Sequence, residues 1–276
     1  MSPTRKLKNI LRYVQIYAGI GIAVTILFSI LALIIVNGIT NLTLEFVFSL
    51  NAPRGFSLMP MIVTTLVLVI LTLLVSAPLG IGAAIYLNEY SNPKSRFVKF
   101  VRMSIETLSG IPSIVYGLFG FLFYVIVLGW TWSIRSGVFT VAIMILPIII
   151  RSTEDALKSV PMSYRMGSYA LGAGKFYTIS KVVLPAAING IIASIILSIG
   201  RLVGETAALL LTAGTLLDMP TSLDSSAATL AVFMYIITVE HGDMERAFAT
   251  AIVLMILVLG LNLLANFVAS RLGKVK

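Results

Sequence analysis

Long apolar runs separated by short polar segments make up most of the chain: 13–36, 61–86, 108–128, 136–150, 182–217 and 247–270. A helix needs roughly 20 mostly apolar residues to cross about 30 Å of hydrocarbon. A bilayer offers its backbone groups no water, so runs of this length predict helices. The fourth run is short and has to continue past Arg151, whose long side chain can snorkel to the interface. The fifth exceeds one crossing, which predicts a break near Gly200 or Gly204. The second is expected to be interrupted at Ser76-Ala77-Pro78, Gly80 and Gly82. The third begins at a break over 109–113, where Pro112 suits the first turn of a new helix. Residues 225–239 are too short to cross and read as a re-entrant or surface helix. The expected fold class is all-α, a polytopic membrane bundle of six transmembrane helices with one further helix outside the bilayer.

The first run follows Arg5, Lys6, Lys8 and Arg12, as a signal peptide's core would. It is longer than the roughly 7 to 15 residues of such a core, and no small-residue cleavage site follows. It reads as a retained span, with 1–12 a cytoplasmic segment, 13–276 one transmembrane domain and 61–270 its core.

Composition agrees: 58% of residues are hydrophobic and 11% charged, with a mean hydropathy of +1.02. Soluble domains carry about 25% charged residues, so an ordinary soluble enzyme is excluded. The absence of cysteine and the single histidine, His241, remove disulfides, thiolate chemistry and a histidine-rich metal site. The net charge of +9 is a matter of distribution. Sixteen of the twenty basic residues fall in the amino-terminal segment, in the loops after spans two and four, or in the tail. The opposite side holds Arg54, Arg135 and Arg246, with Trp130 and Trp132 marking its interface. Cytoplasmic loops carry the basic excess, so both termini are expected in the cytoplasm, and the charge signals topology, with no nucleic acid as partner.

Arg201 and Glu205 are four positions apart, on one face of a continuous helix. Counting from Pro185 at 1.5 Å per residue puts Arg201 about 24 Å up, in the outer half of the membrane. Two readings stand: a buried ion pair that fixes packing, or a guanidinium that hydrogen-bonds an oxyanion while Glu205 orients it or accepts a proton from the anion. Thr206 is a further candidate in the path, or bonds back to its own helix. Glu106 follows Arg102 by four and reads as a local ion pair or, with Ser113, as part of a gate.

The connection 151–185 is cytoplasmic on this topology. Ser163 is expected to cap a helix over 164–171, with Gly172 and Gly174 ending it in left-handed conformations. Such a helix lies on the membrane surface or docks a partner. Gly172, Val182 and Leu184-Pro185 match the spacing of the EAA motif of ABC importer permeases, although Met166-Gly167-Ser168 stands where Glu-Ala-Ala is usual. With the stretches 76–90 (SAPLGIGAAIYLNEY), 108–120 (LSGIPSIVYGLFG), 169–172 (YALG) and 201–210 (RLVGETAALL), the chain resembles the PstA-type permeases of phosphate transporters, within the binding-protein-dependent type I ABC importer family. Ala207 after Gly204-Glu205-Thr206 favours that type over the PstC type, which has methionine there.

The resemblance implies a multi-pass protein of the cell inner membrane that forms half of a phosphate pathway. It also implies a second, PstC-like permease, a pair of PstB-like ATP-binding subunits and a PstS-like extracytoplasmic phosphate-binding protein, with membrane lipid around them. The 163–172 helix would couple to the ATPase through Tyr164, Arg165, Met166, Ser168, Tyr169, Leu171 and Gly172. No cofactor of the chain's own is expected and no catalysis: before Gly174-Lys175, Tyr169 stands where a P-loop needs its first glycine, and Phe176 replaces Ser or Thr. The rival readings are a permease for another oxyanion, an ion-coupled secondary transporter and a membrane scaffold.

Overall fold

A computed structural model describes residues 3–49 and 57–272. Arg54, Lys274 and Lys276, three of the residues used to orient the chain, lie outside the described residues. The described residues form twelve α-helices and no strand. In chain order they are α1 (Pro3–Gly38), α2 (Leu44–Phe48), α3 (Met59–Ile85), α4 (Arg96–Ser109), α5 (Ser113–Gly120), α6 (Ile134–Lys158), α7 (Met162–Ala170), α8 (Lys175–Thr178), α9 (Leu184–Val203), α10 (Ala207–Thr212), α11 (Leu230–Val239) and α12 (Met244–Leu272). Wider π turns at Tyr86–Tyr90, Phe121–Val127 and Ile179–Val183 extend α3 and α5 and join α8 to α9.

Five segments are long and apolar enough to cross a bilayer: Arg12–Asn41, Met59–Tyr90, Ile134–Lys158, Lys175–Val203 and Met244–Val268. The third expected span is a bent pair, with Arg96–Ser109 at 100° to Ser113–Val127. The fourth helix does run on past Arg151, and the fifth does end at Gly204. The second run departs from expectation, because α3 passes through Pro78, Gly80 and Gly82 without interruption. Gly80 serves packing instead: a Cβ there would meet the Ile149 side chain at 2.6 Å.

The centre of the fold is α6, buried on most of its circumference and packed against α3 and α9. Small residues bring these helices close, as they do in membrane bundles, where lipid competes with every apolar contact. A Cβ on Gly190 of α9 would lie 2.5 Å from that of Ala156, and one on Gly117 of α5 would lie 2.8 Å from the Ala208 backbone. Gly110 takes no part in that packing, since a Cβ there would meet only the Thr107 carbonyl, at 3.5 Å. Thr229 caps α11, accepting from the Val232 amide, and Leu230, Val232, Phe233 and Ile237 are fully enclosed. The short helix is therefore internal to the bundle and not a surface helix. α1 behaves oppositely: its spanning part buries nothing, and it rests on α12 where Gly38 approaches the Phe248 carbonyl.

Candidate functional site

Two arginines identify the two regions that matter. The first is Arg201, near the C-terminal end of α9. Beyond Pro185 and Ala186 in its first turn, the exposed positions of α9 are Asn189, Ala193, Leu197 and Arg201, one every four residues, so a single stripe of the helix is left open, while the opposite side packs on α6 and α12. The helix then stops. Gly204 is its C-cap at φ −87°, the Glu205 amide bonds the Leu202 carbonyl at 3.2 Å, and α10 starts two residues later.

That break overturns the shared helical face expected for Arg201 and Glu205. Glu205 is turned inward and only 7% exposed, and its Oε1 accepts from the Ala208 amide at 3.1 Å. A carboxylate there satisfies one unpaired amide of α10 and sits at the positive end of the helix. The described residues hold no ion pair between Arg201 and Glu205, so the salt-bridge reading fails for a physical reason: the turn between them is not helical. Thr206 bonds back to the Gly204 carbonyl at 3.5 Å.

Arg201 is exposed and lies within electrostatic reach of Tyr116. The Tyr116 hydroxyl donates to the Leu108 carbonyl at 2.9 Å, holding α5 against the end of α4 across the 100° bend. Ser113 begins α5 beyond that bend. Glu106 does not pair with Arg102 as its spacing suggested. It faces Arg151 at 3.6 Å, both largely exposed, whereas Arg102 reaches Glu154 at 2.7 Å. Packing of α4 on α6 decides this exchange, since it brings a buried carboxylate under Arg102. On the other face of the bundle, Trp130 stacks on Tyr124 at 5.3 Å and lies 4.4 Å beneath the Arg135 guanidinium.

The second region surrounds Arg165. α7 follows Pro161, which serves as its N-cap, so Ser163 does not cap it. Gly172 ends the segment at φ +81°, a conformation that suits glycine, whereas Gly174 is extended at φ −72° and opens α8. Tyr164, Met166, Tyr169 and Leu171 point outward, with Leu171 90% exposed. Met162, Phe176 (77% exposed) and Tyr177 enlarge this patch and were missed in the sequence reading, although an aromatic pair beside the glycine break was a usable signal. An apolar cluster of this kind on a connecting segment marks a contact surface.

Arg165 and Ser168 correct the expectation that they belong to that surface. Ser168 bonds the Thr178 hydroxyl at 2.8 Å. Arg165 is 8% exposed and reaches Glu89 at 2.7 Å. It faces the protein interior because the π turn at the C-terminal end of α3 presents a carboxylate there. A cavity of about 550 Å³ adjoins the pair, lined among others by Asn88, Lys158, Tyr169 and Lys175.

Comparison with known proteins fits this anatomy. Residues 76–274 match the family described as binding-protein-dependent transport system inner membrane component. A probable ABC transporter permease protein of Bacillus subtilis (strain 168), YqgI, is 34% identical over 273 residues, covering 92% of either chain. The phosphate transport system permease protein PstA of Mycobacterium leprae (strain TN) is 35% identical over 213 residues, 75% of this chain and 69% of that one. Among solved structures, a chain of a bacterial alginate ABC transporter in complex with its alginate-bound periplasmic protein aligns with a TM-score of 0.72 over 98% of both chains at 16% identity. A chain of the inward-facing MetNI methionine ABC transporter aligns at 0.57 over 80% of this chain and 94% of that one, at 19% identity. At such identities the two structures establish the shared fold.

Proposed function

The chain belongs to the binding-protein-dependent transport system inner membrane components, and on that premise we propose that it forms half of the translocation pathway of an ATP-driven phosphate importer. It is a multi-pass membrane permease of the type I ABC importer family. The phosphate assignment draws on the PstA relatives and on one observation above all: Arg201 stands on the open stripe of α9 without an anionic partner among the described residues.

An arginine in the bilayer costs about 2.5 to 3.5 kcal/mol on insertion scales, so its face lines protein or water. A second, PstC-like permease facing the stripe would enclose an aqueous path with Arg201 at its outer end. The planar guanidinium suits two oxygens of a phosphate. With Glu205 turned away, no carboxylate opposes the anion at that point. Glu205 positions α10 and does not receive a phosphate proton in this arrangement. Thr206 sits at the same break, and Glu106 with Ser113 flank the bend on the cytoplasmic side, where a gate would close.

The apolar patch of α7 and α8 docks a PstB-like ATPase, which binds the ATP that this chain has no loop to hold. Both termini then lie in the cytoplasm, and a PstS-like protein delivers phosphate from outside. Closure of the paired ATPases draws on α7 and opens the outer cavity, and hydrolysis returns it inward.

The test is transport by the complex reconstituted in proteoliposomes with the binding protein. Phosphate uptake that requires ATP and is unaffected by excess sulfate is the expected result. Preference for sulfate would assign another oxyanion, and uptake driven by an ion gradient without ATP would return the secondary-transporter reading.

A further inference from the structure

Arg165 makes a set of contacts that docking on a partner does not explain. Its Nη2 donates to Glu89 Oε1 at 2.7 Å and its Nε to Oε2 at 3.4 Å, a two-pronged grip. Nη1 donates to the Val160 carbonyl at 2.9 Å, and Nη2 also reaches the Leu157 carbonyl at 3.1 Å. Leu157 belongs to the last turn of α6 and Val160 lies just beyond it, while Glu89 belongs to the π turn that closes α3. One side chain of α7 therefore holds the inner ends of two spanning helices. Among the described residues, every hydrogen bond from α7 to those helices is made by Arg165.

The pair is well enclosed, with Arg165 and Glu89 side chains 10% and 6% exposed. Neighbouring cations do not compete for it, and a third donor supports the carboxylate. Asn88 donates to Glu89 Oε1 at 2.8 Å, Lys158 is engaged by Glu154 at 2.8 Å, and Lys175 lies 4.8 Å over the Tyr90 ring. The π turn matters as well, since one extra residue in the helical ladder resets which side chain faces inward.

We propose that Glu89 and Arg165 form a latch that makes α7 one body with the inner ends of α3 and α6, so that a pull on α7 moves the packed centre of the bundle. The latch rests on the docking reading of α7 and adds the route by which its motion enters the membrane. α7 otherwise packs on the segment 175–183 alone to any extent, and that segment leads only to α9. Without the latch, movement would reach α9 through that segment and α6 only through the short connection 159–161, and α3 would be left out. Both residues act through the helices they hold and are positioning residues.

The experiment uses the assembled complex in proteoliposomes and measures phosphate moved per ATP hydrolysed. A cysteine in place of Leu171, unique in this cysteine-free chain, reports docking by cross-linking to the ATPase. With Glu89→Gln we expect co-purification, cross-linking and ATP hydrolysis to persist while phosphate per ATP falls about tenfold, within the range of ordinary site-to-site coupling. Glu89→Asp, which keeps the charge, should recover most of it. If Glu89→Gln does not accumulate in the membrane, Arg165→Lys, which keeps a charge but not the two-pronged grip, is read in the same way.

An unchanged ratio, a joint fall of cross-linking, hydrolysis and uptake, or no recovery with Asp would overturn the latch. Failure of the docking reading is separately visible: Leu171→Cys would then give no cross-link even when Glu89 and Arg165 are intact.

Discussion

The C-terminal end of α9 and the short helix α7 each present an arginine with no acid on its own helix, and the fold treats them in opposite ways. On α7 Arg165 is enclosed by Glu89 and two carbonyls. On α9 Arg201 is left without a counter-charge among the described residues, because the helix breaks before Glu205 can share its face. Burying an unpaired charge is costly, so the first arrangement fixes structure. Exposing one on a stripe that otherwise carries no charge reserves it for something that arrives. The same side chain thus serves as a clamp or as bait according to what the backbone sets opposite it.

Replacing each arginine's partners, or the arginine itself, separates these roles. The largest effect is expected from Arg201→Gln, which removes the charge and the fork together. Phosphate uptake should fall by roughly a hundredfold or more, the order lost when a charge-assisted contact is truncated, while the subunits still co-purify. Arg201→Lys should retain part of the activity, because the ammonium keeps the charge without the planar geometry. Loss of the complex along with uptake would make Arg201 a clamp as well.

The next effect lies on the docking patch. Leu171→Asp combined with Phe176→Asp should weaken binding of the ATPase by about tenfold or more, as loss of central apolar contacts does at other interfaces, and titration of the ATPase subunit against the detergent-solubilised permease measures it. Glu205→Ala comes third. Loss of the α10 cap should cost about 1 kcal/mol, seen as a lower midpoint of thermal unfolding, while Glu205→Gln, whose amide oxygen still accepts from Ala208, should cost less. Glu106→Gln is expected to do least to stability, because its ion pair with Arg151 is exposed. A sharp fall in uptake with unchanged stability would instead place Glu106 in the gate.

Much of this arrangement is legible in the sequence, within a limit that individual residues make plain. Apolar run lengths give the long helices, Gly204 gives the end of α9, and Gly172 gives the end of α7, since each rests on local chain properties. Pairings do not follow in the same way. Arg165 and Glu89 are separated by 76 positions, and Arg102 leaves Glu106 for Glu154 because α4 packs on α6. The Arg201–Glu205 expectation assumed that helical geometry continues across Gly204, although the glycine was itself the break. Pro78 errs in the other direction: α3 continues through it within the packed bundle, where neighbouring groups compensate a lost backbone bond.

The central claim is that the Asn189 to Arg201 stripe of α9 borders a water-filled passage. Because the chain has no cysteine, Leu197→Cys places a single thiol one turn below Arg201 and leaves the arginine intact. In the assembled transporter, a charged, membrane-impermeant thiol reagent is expected to modify this position from outside when ATP holds the complex closed on the cytoplasmic side. Phosphate should slow the reaction, and Leu202→Cys, at a buried position, should stay unmodified. Absence of modification at residue 197 in every nucleotide state would contradict the account.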